Sequence, residues 1–169
     1  MGWDCDMHEE IKRRIEFLIE AAKYEVKKDQ VVTYAMRVLS NHATIGRDAG
    51  SAEIKKHNKT VSQGAQKLLH SVDLTTFCKQ TINEHPKPIL ATWEWLRENA
   101  EHLSVEEVWN EFVANKMVTI TKEEDTRIRA SGQNSIGNMQ TRYNALGIRL
   151  VTLSKTPYQF HKDLKARGQ

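Results

Sequence analysis

The chain has 169 residues, 39% of them hydrophobic and 28% charged, with a formal net charge of +3. That length can enclose a sizeable core, and the composition is one that folds rather than one that stays disordered. A membrane-spanning helix is excluded because no stretch approaches the roughly 18 apolar residues it needs, and Cys5 and Cys78, without CxxC spacing, exclude a disulfide framework or a structural zinc.

The opening MGWDCDMHEE is acidic and lacks an apolar run, so no signal peptide is expected and the cytoplasm is the default location. Charge is distributed unevenly along the chain. Residues 1–30 carry −2, 31–82 carry +4, 83–130 carry −4 and 131–169 carry +5. Basic segments therefore flank an acidic middle, and such a pattern either creates a positive surface for phosphate or lets segments attract one another.

In chain order, residues 6–28 form an amphipathic pattern, with Ile11, Ile15, Leu18 and Ala22 on one face and lysine, arginine and glutamate on the other. Asp29 can cap a second helix over 30–45 that turns Val32, Ala35, Met36, Leu39 and Ala43 inward. Residues 46–64 hold three glycines and Lys55, Lys56 and Lys59, which predicts an exposed loop with at most a short helix near 52–57. Residues 65–82 return to an apolar rhythm, as one helix broken near 71–73 or as two short ones, with Asp73 capping the second. Pro86 and Pro88 stiffen a polar connector.

Two paired helices follow, and they hold three of the four tryptophans. Ile89, Trp93, Leu96 and Ala100 make one apolar stripe. Ser104 and Glu107 form a capping box that opens a helix burying Val105, Val108, Trp109, Phe112 and Val113. Trp95 lies off the stripe. Residues 116–121 (KMVTIT) have strand composition, and Thr121 with Glu124 forms a second capping box for a helix ending at Ser131 and Gly132. A last helix over 134–146 turns Ile136, Met139, Tyr143 and Leu146 inward, Gly147 stops it, and 148–153 (IRLVTL) reads as a second strand. The two strands can pair, in parallel through a right-handed crossover or else antiparallel. No internal repeat is visible in the sequence. The expectation is an α+β fold: a predominantly helical single domain over 1–153, a small two-stranded β element near the C-terminus, and a basic tail over 154–169 with a short helix near 159–165.

Arg-x4-His occurs twice, as Arg37 with His42 and as Arg97 with His102. A turn and a half apart on a helix, such a pair can converge on a phosphate, the arginine stabilising the anion and the histidine acting as acid or base. The spacing resembles the motif of HEPN ribonucleases over six residues in each case. The resemblance implies a helical ribonuclease that dimerises to complete its site, with these four residues catalytic. In that family the arginine is typically followed by Asn, Asp or His; here Val38 and Glu98 depart from the pattern.

Glu84 and His85 in the proline-stiffened connector form a second candidate, as an acid–base pair or half of a metal site. Asp48 followed by Glu53-Ile54-Lys55 has the order of a restriction-type nuclease motif but lacks the strand that chemistry requires. The sequence has no HExxH, P-loop, GxGxxG or GxSxG motif and no full set of metal ligands, and it names no cofactor.

Basic groups interleaved with rings suit nucleic acid, since phosphates supply affinity and rings stack on bases. Lys55, Lys56, Lys59, Arg142, Tyr143, Arg149 and Lys155 are the candidate contacts. The leading expectation is a small intracellular protein that binds DNA or RNA through segments 31–82 and 131–169. The alternatives are a metal-dependent or HEPN-like nuclease and a non-catalytic module that docks a protein through Trp95 or the acidic 83–130 face. No membrane partner is expected.

Overall fold

The computed structural model describes residues 9–24, 29–132 and 139–167. Among them run, in order, α1 (Glu9–Lys23), α2 (Gln30–Ile45), α3 (Ser51–His57), β1 (Thr60–Ser62), α4 (Gln63–Ser71), α5 (Leu74–Gln80), β2 (Thr81–Glu84), α6 (Ile89–Asn99), α7 (Val105–Ala114), β3 (Val118–Thr121), α8 (Lys122–Ala130), α9 (Met139–Ala145), β4 (Leu150–Thr152) and α10 (Pro157–Ala166). The fold is α+β and mostly helical. No helix among the described residues is long and apolar enough to cross a membrane.

The chain divides into two compact units, and the first is discontinuous. Unit one takes Met1–Asp48 and Lys87–Lys116; unit two takes Ala49–Pro86 and Met117–Gln169. The first contains α1, α2, α6 and α7. Ile15, Leu18, Met36, Leu39, Trp93, Leu96, Val108 and Phe112 form one buried cluster there, which confirms the apolar stripes read at three- and four-residue spacing. Asp29 accepts from the Val32 amide at 2.8 Å and caps α2, and the Ser104–Glu107 box caps α7. Gly46 ends α2 at φ +78°, a conformation that favours glycine.

Unit two contains the sheet. It has four strands in the order β2-β3-β1-β4, with β1 parallel to β3, β2 antiparallel to β3 and β4 antiparallel to β1. This corrects the expected two-stranded element near the C-terminus. Both expected strands exist, as β3 and β4, but they do not pair with each other because β1 lies between them. The two missed strands are three and four residues long, too short to show a period. They form because each pairs with the apolar strand β3 and because side-chain bonds fix their ends. Asn58, buried just before β1, donates to the Met117 carbonyl at 2.9 Å and to Thr119 Oγ1 at 3.2 Å.

The two faces of the sheet bury different side chains. Val61 and the partly buried Val151 join Ala65, Leu69 and Phe77 of α4 and α5. Val118 and Ile120, with Ile82 and Leu150, join Ile128 and Tyr143 of α8 and α9. Helix α10 adds Phe160 to the first of these clusters, and its start is fixed by a Thr156–Gln159 capping box.

The carboxylate of Glu124 links the two central strands. Its Oε2 accepts from the Thr121 amide at 2.8 Å and from Thr121 Oγ1 at 3.1 Å, completing the capping box of α8. The same oxygen accepts from Ser62 Oγ at 2.5 Å, while Ser62 Oγ accepts from the Ala65 amide at 2.9 Å and caps α4. One buried carboxylate thus serves the first turns of two helices, where the positive ends of their dipoles favour it. It also presses on α4, since a Cβ placed on Gly64 would lie 2.7 Å from Glu124 Oε1. Gly64→Ala should therefore lose stability by about 1–3 kcal/mol, the range for overpacking, although alanine is the better helix former. Glu124→Ala should cost more, because it leaves Ser62 Oγ and the Thr121 amide without an acceptor. Urea melts of both variants check this, and a Gly64→Ala protein as stable as the parent would contradict it.

Candidate functional site

Glu84 ends β2, pairs with Val118 in the antiparallel ladder, and shares a sheet face with Ile82. Helix α9 crosses that face and places Arg142 and Tyr143 against it. Arg142 Nη2 donates to Glu84 Oε1 at 2.5 Å and to the Pro86 carbonyl at 3.2 Å. The Tyr143 hydroxyl donates to Glu84 Oε2. The Arg142 side chain is 4% exposed and that of Glu84 12%. Arg142 Nε has no hydrogen-bond partner among the described residues.

Burial raises the Glu84 carboxyl above its ordinary value, outweighing the Tyr143 and Arg142 bonds that favour the ionised form. Burial also pushes the Tyr143 phenol well up, reinforced by the neighbouring carboxylate, so the hydroxyl stays a donor. With both oxygens of Glu84 held by donors from α9, the cluster fastens that helix to the end of β2. The sequence reading placed Glu84 in a catalytic role and Arg142 and Tyr143 among the nucleic-acid contacts, and the fold brings the three together. The other half of that candidate, His85, is half-buried in the connector.

The remaining expected catalytic residues lie in unit one. Arg37 is exposed on α2 and lines a hollow of about 570 Å³ with Asp29, Gln30, Thr33 and Tyr34. His42 is half-buried on the same helix. Arg97 is exposed on α6, and His102 is exposed just beyond it, its amide bonded to the Asn99 carbonyl at 3.0 Å. Trp95 is half-buried against the unit-one core, with Lys87 Nζ 5.1 Å from its ring centroid. Among the described residues, no three His, Cys, Asp or Glu side chains are grouped to hold a metal.

The expected nucleic-acid contacts all belong to unit two, in unlike environments. Arg142 and Tyr143 are interior. Lys55 donates to the Cys78 carbonyl at 2.8 Å, Lys56 pairs with Glu53 at 3.4 Å, and Lys155 pairs with Asp163 at 2.5 Å. Lys59 is exposed and reaches the Ser154 carbonyl at 3.3 Å, and the Arg149 side chain is exposed. Sequence reasoning missed Lys67, Lys79 and Lys122. Like Arg149, they are exposed and make no ion pair among the described residues. The signal that finds them is charge counted by unit: unit two has fourteen Lys and Arg against seven Asp and Glu, whereas unit one has eleven against fifteen.

Compared with known protein families, curated proteins and solved structures, the chain matches none of them.

Because the folded state holds the Glu84 proton more tightly than the unfolded chain does, stability falls as pH rises from the ordinary 4.5 through the raised value. Glu84→Gln should flatten that decline relative to the parent in urea melts at stepped pH; equal slopes would contradict the assignment. Arg142→Met, which leaves a buried carboxylate without its cation, should cost about 3–5 kcal/mol.

Proposed function

We propose that the protein binds nucleic acid through its second unit. The observation that supports this is the partition of charge between the two units, +7 against −4, which the near-neutral total conceals. A compact body of fewer than a hundred residues with that excess attracts a polyanion over a Debye length of about 8–10 Å and gains affinity by releasing its counterions. Unpaired exposed cations are the groups able to do so, which favours Lys59, Lys67, Lys79, Lys122 and Arg149 over those already held by Glu53 or Asp163. The acidic first unit contributes no attraction of this kind.

Titration of the full chain against labelled DNA and RNA across 50–300 mM salt tests the reading. The dissociation constant should rise steeply with salt, with a log–log slope of several units, about 0.9 per phosphate contacted on a B-form duplex. No binding at the lowest salt, or an affinity indifferent to salt, would refute it.

A further inference from the structure

Unit two is built from one motif used twice. Strand, helix, helix, strand occurs as β1-α4-α5-β2 and again as β3-α8-α9-β4. The central strands read Thr60-Val61-Ser62 and Thr119-Ile120-Thr121, each ending on the residue whose side chain caps the next helix. Seven residues past the cap, Leu69 and Ile128 hold equivalent places, one in each core cluster. Exchanging the two copies leaves every strand pairing intact: β1–β3 remains parallel, and β1–β4 becomes β3–β2. The rotation that swaps two parallel neighbours without reversing them is an approximate two-fold along the strands; because Val61 lies level with Thr119 and not with its equivalent Ile120, the second copy also sits one residue, about 3.3 Å, further along that axis. The rotation also swaps the faces of the sheet, as the two core clusters do. From the capping residue to the start of the closing strand the second copy is ten residues longer (Thr121 to Leu150 against Ser62 to Thr81), and this hides the repeat from the sequence.

That axis emerges at the carboxyl edge of β1 and β3, and all four strand–helix junctions lie there. Thr81, which starts β2, pairs with Thr121, and Leu150, which starts β4, pairs with Ser62. The residues immediately outside these four strand ends are Gln63 and its equivalent Lys122, and Gln80 and its equivalent Arg149. All four are exposed hydrogen-bond donors. Lys79 lies beside Gln80 and is exposed as well. Lys55 comes close enough to Lys122 for the two charges to repel. Glu123 is the exposed carboxylate of this edge. Four strand ends at about 4.8 Å spacing span about 14 Å, close to the roughly 12 Å width of a B-form major groove.

We infer that this edge docks a nucleic-acid duplex, with Lys79, Lys122 and Arg149 on its phosphates and the two-fold between the repeats set on a dyad relating the two backbones. The inference rests on the nucleic-acid reading above and adds the form of the ligand and the face that meets it. A duplex has such dyads at every base pair regardless of sequence, whereas a single strand has none. Pairs of equivalent side chains can then reach both backbones at once.

The test compares the full chain with a Lys79→Ala, Lys122→Ala, Arg149→Ala variant. A Lys162→Ala, Lys165→Ala variant on α10 serves as control, and all three are titrated with a 20-base-pair DNA duplex and with one of its strands. Every substituted side chain is exposed, so circular dichroism and melting should match the parent. The parent should favour the duplex, the triple variant should bind it at least tenfold more weakly with a salt slope smaller by about 3, and the control should stay within threefold. An unchanged triple variant, a loss confined to the control, or a preference for the single strand would overturn the edge assignment while leaving nucleic-acid binding standing. Failure of the parent to bind either oligonucleotide at low salt would remove both.

Discussion

The sheet of unit two depends on a carboxylate that two helices share. Strands of three and four residues have too few ladder bonds to hold a register alone. Here the register is set at the strand ends, where Ser62 and Thr121 both address Glu124. A glutamate three residues past a cap ordinarily satisfies one helix start. This one satisfies its own and reaches the cap of the neighbouring repeat, whose equivalent position is Ala65. The close approach needs a residue without a side chain at Gly64. The parallel β1–β3 pair, and with it the alignment of the two repeats, follows from that arrangement.

The Glu84, Arg142 and Tyr143 cluster does a related task at the other end of β2, where it holds α9 to the sheet edge. With these groups turned inward, the outward surface of unit two is left to lysines and arginines with few carboxylates among them. Function in this reading comes from what the two inner clusters leave exposed, and from the repeat that places hydrogen-bond donors at equivalent positions about one axis, with the charges among them on Lys122 and Arg149 of the second copy and Lys79 of the first.

Much of this was legible in the sequence, and the reasons are local. Asp29, Asp73, Ser104 and Thr121 were readable as caps because capping depends on residues within three positions. The apolar stripes of α1, α2, α6 and α7 were readable because each face packs into one shared core. Strands β1 and β2 were not, since TVS and TINE carry no period and owe their conformation to β3, more than thirty residues away. The pairing of β3 with β4 was expected for want of any sign that β1 would lie between them. Arg142 and Tyr143 looked like surface contacts because an arginine next to a tyrosine suits a nucleic-acid face; their burial follows from a glutamate 58 residues away. Lys79, Lys122 and Arg149 share one edge of the sheet only through its strand order, and no spacing in the chain connects them.

Hydrogen exchange on the full chain, with and without a saturating DNA duplex, tests the account most directly. Amides at the four strand–helix junctions around Gln63, Gln80, Lys122 and Arg149 should gain protection together on binding, while α1, α2, α6 and α7 exchange as before. Protection confined to unit one, or spread evenly over both units, would contradict it.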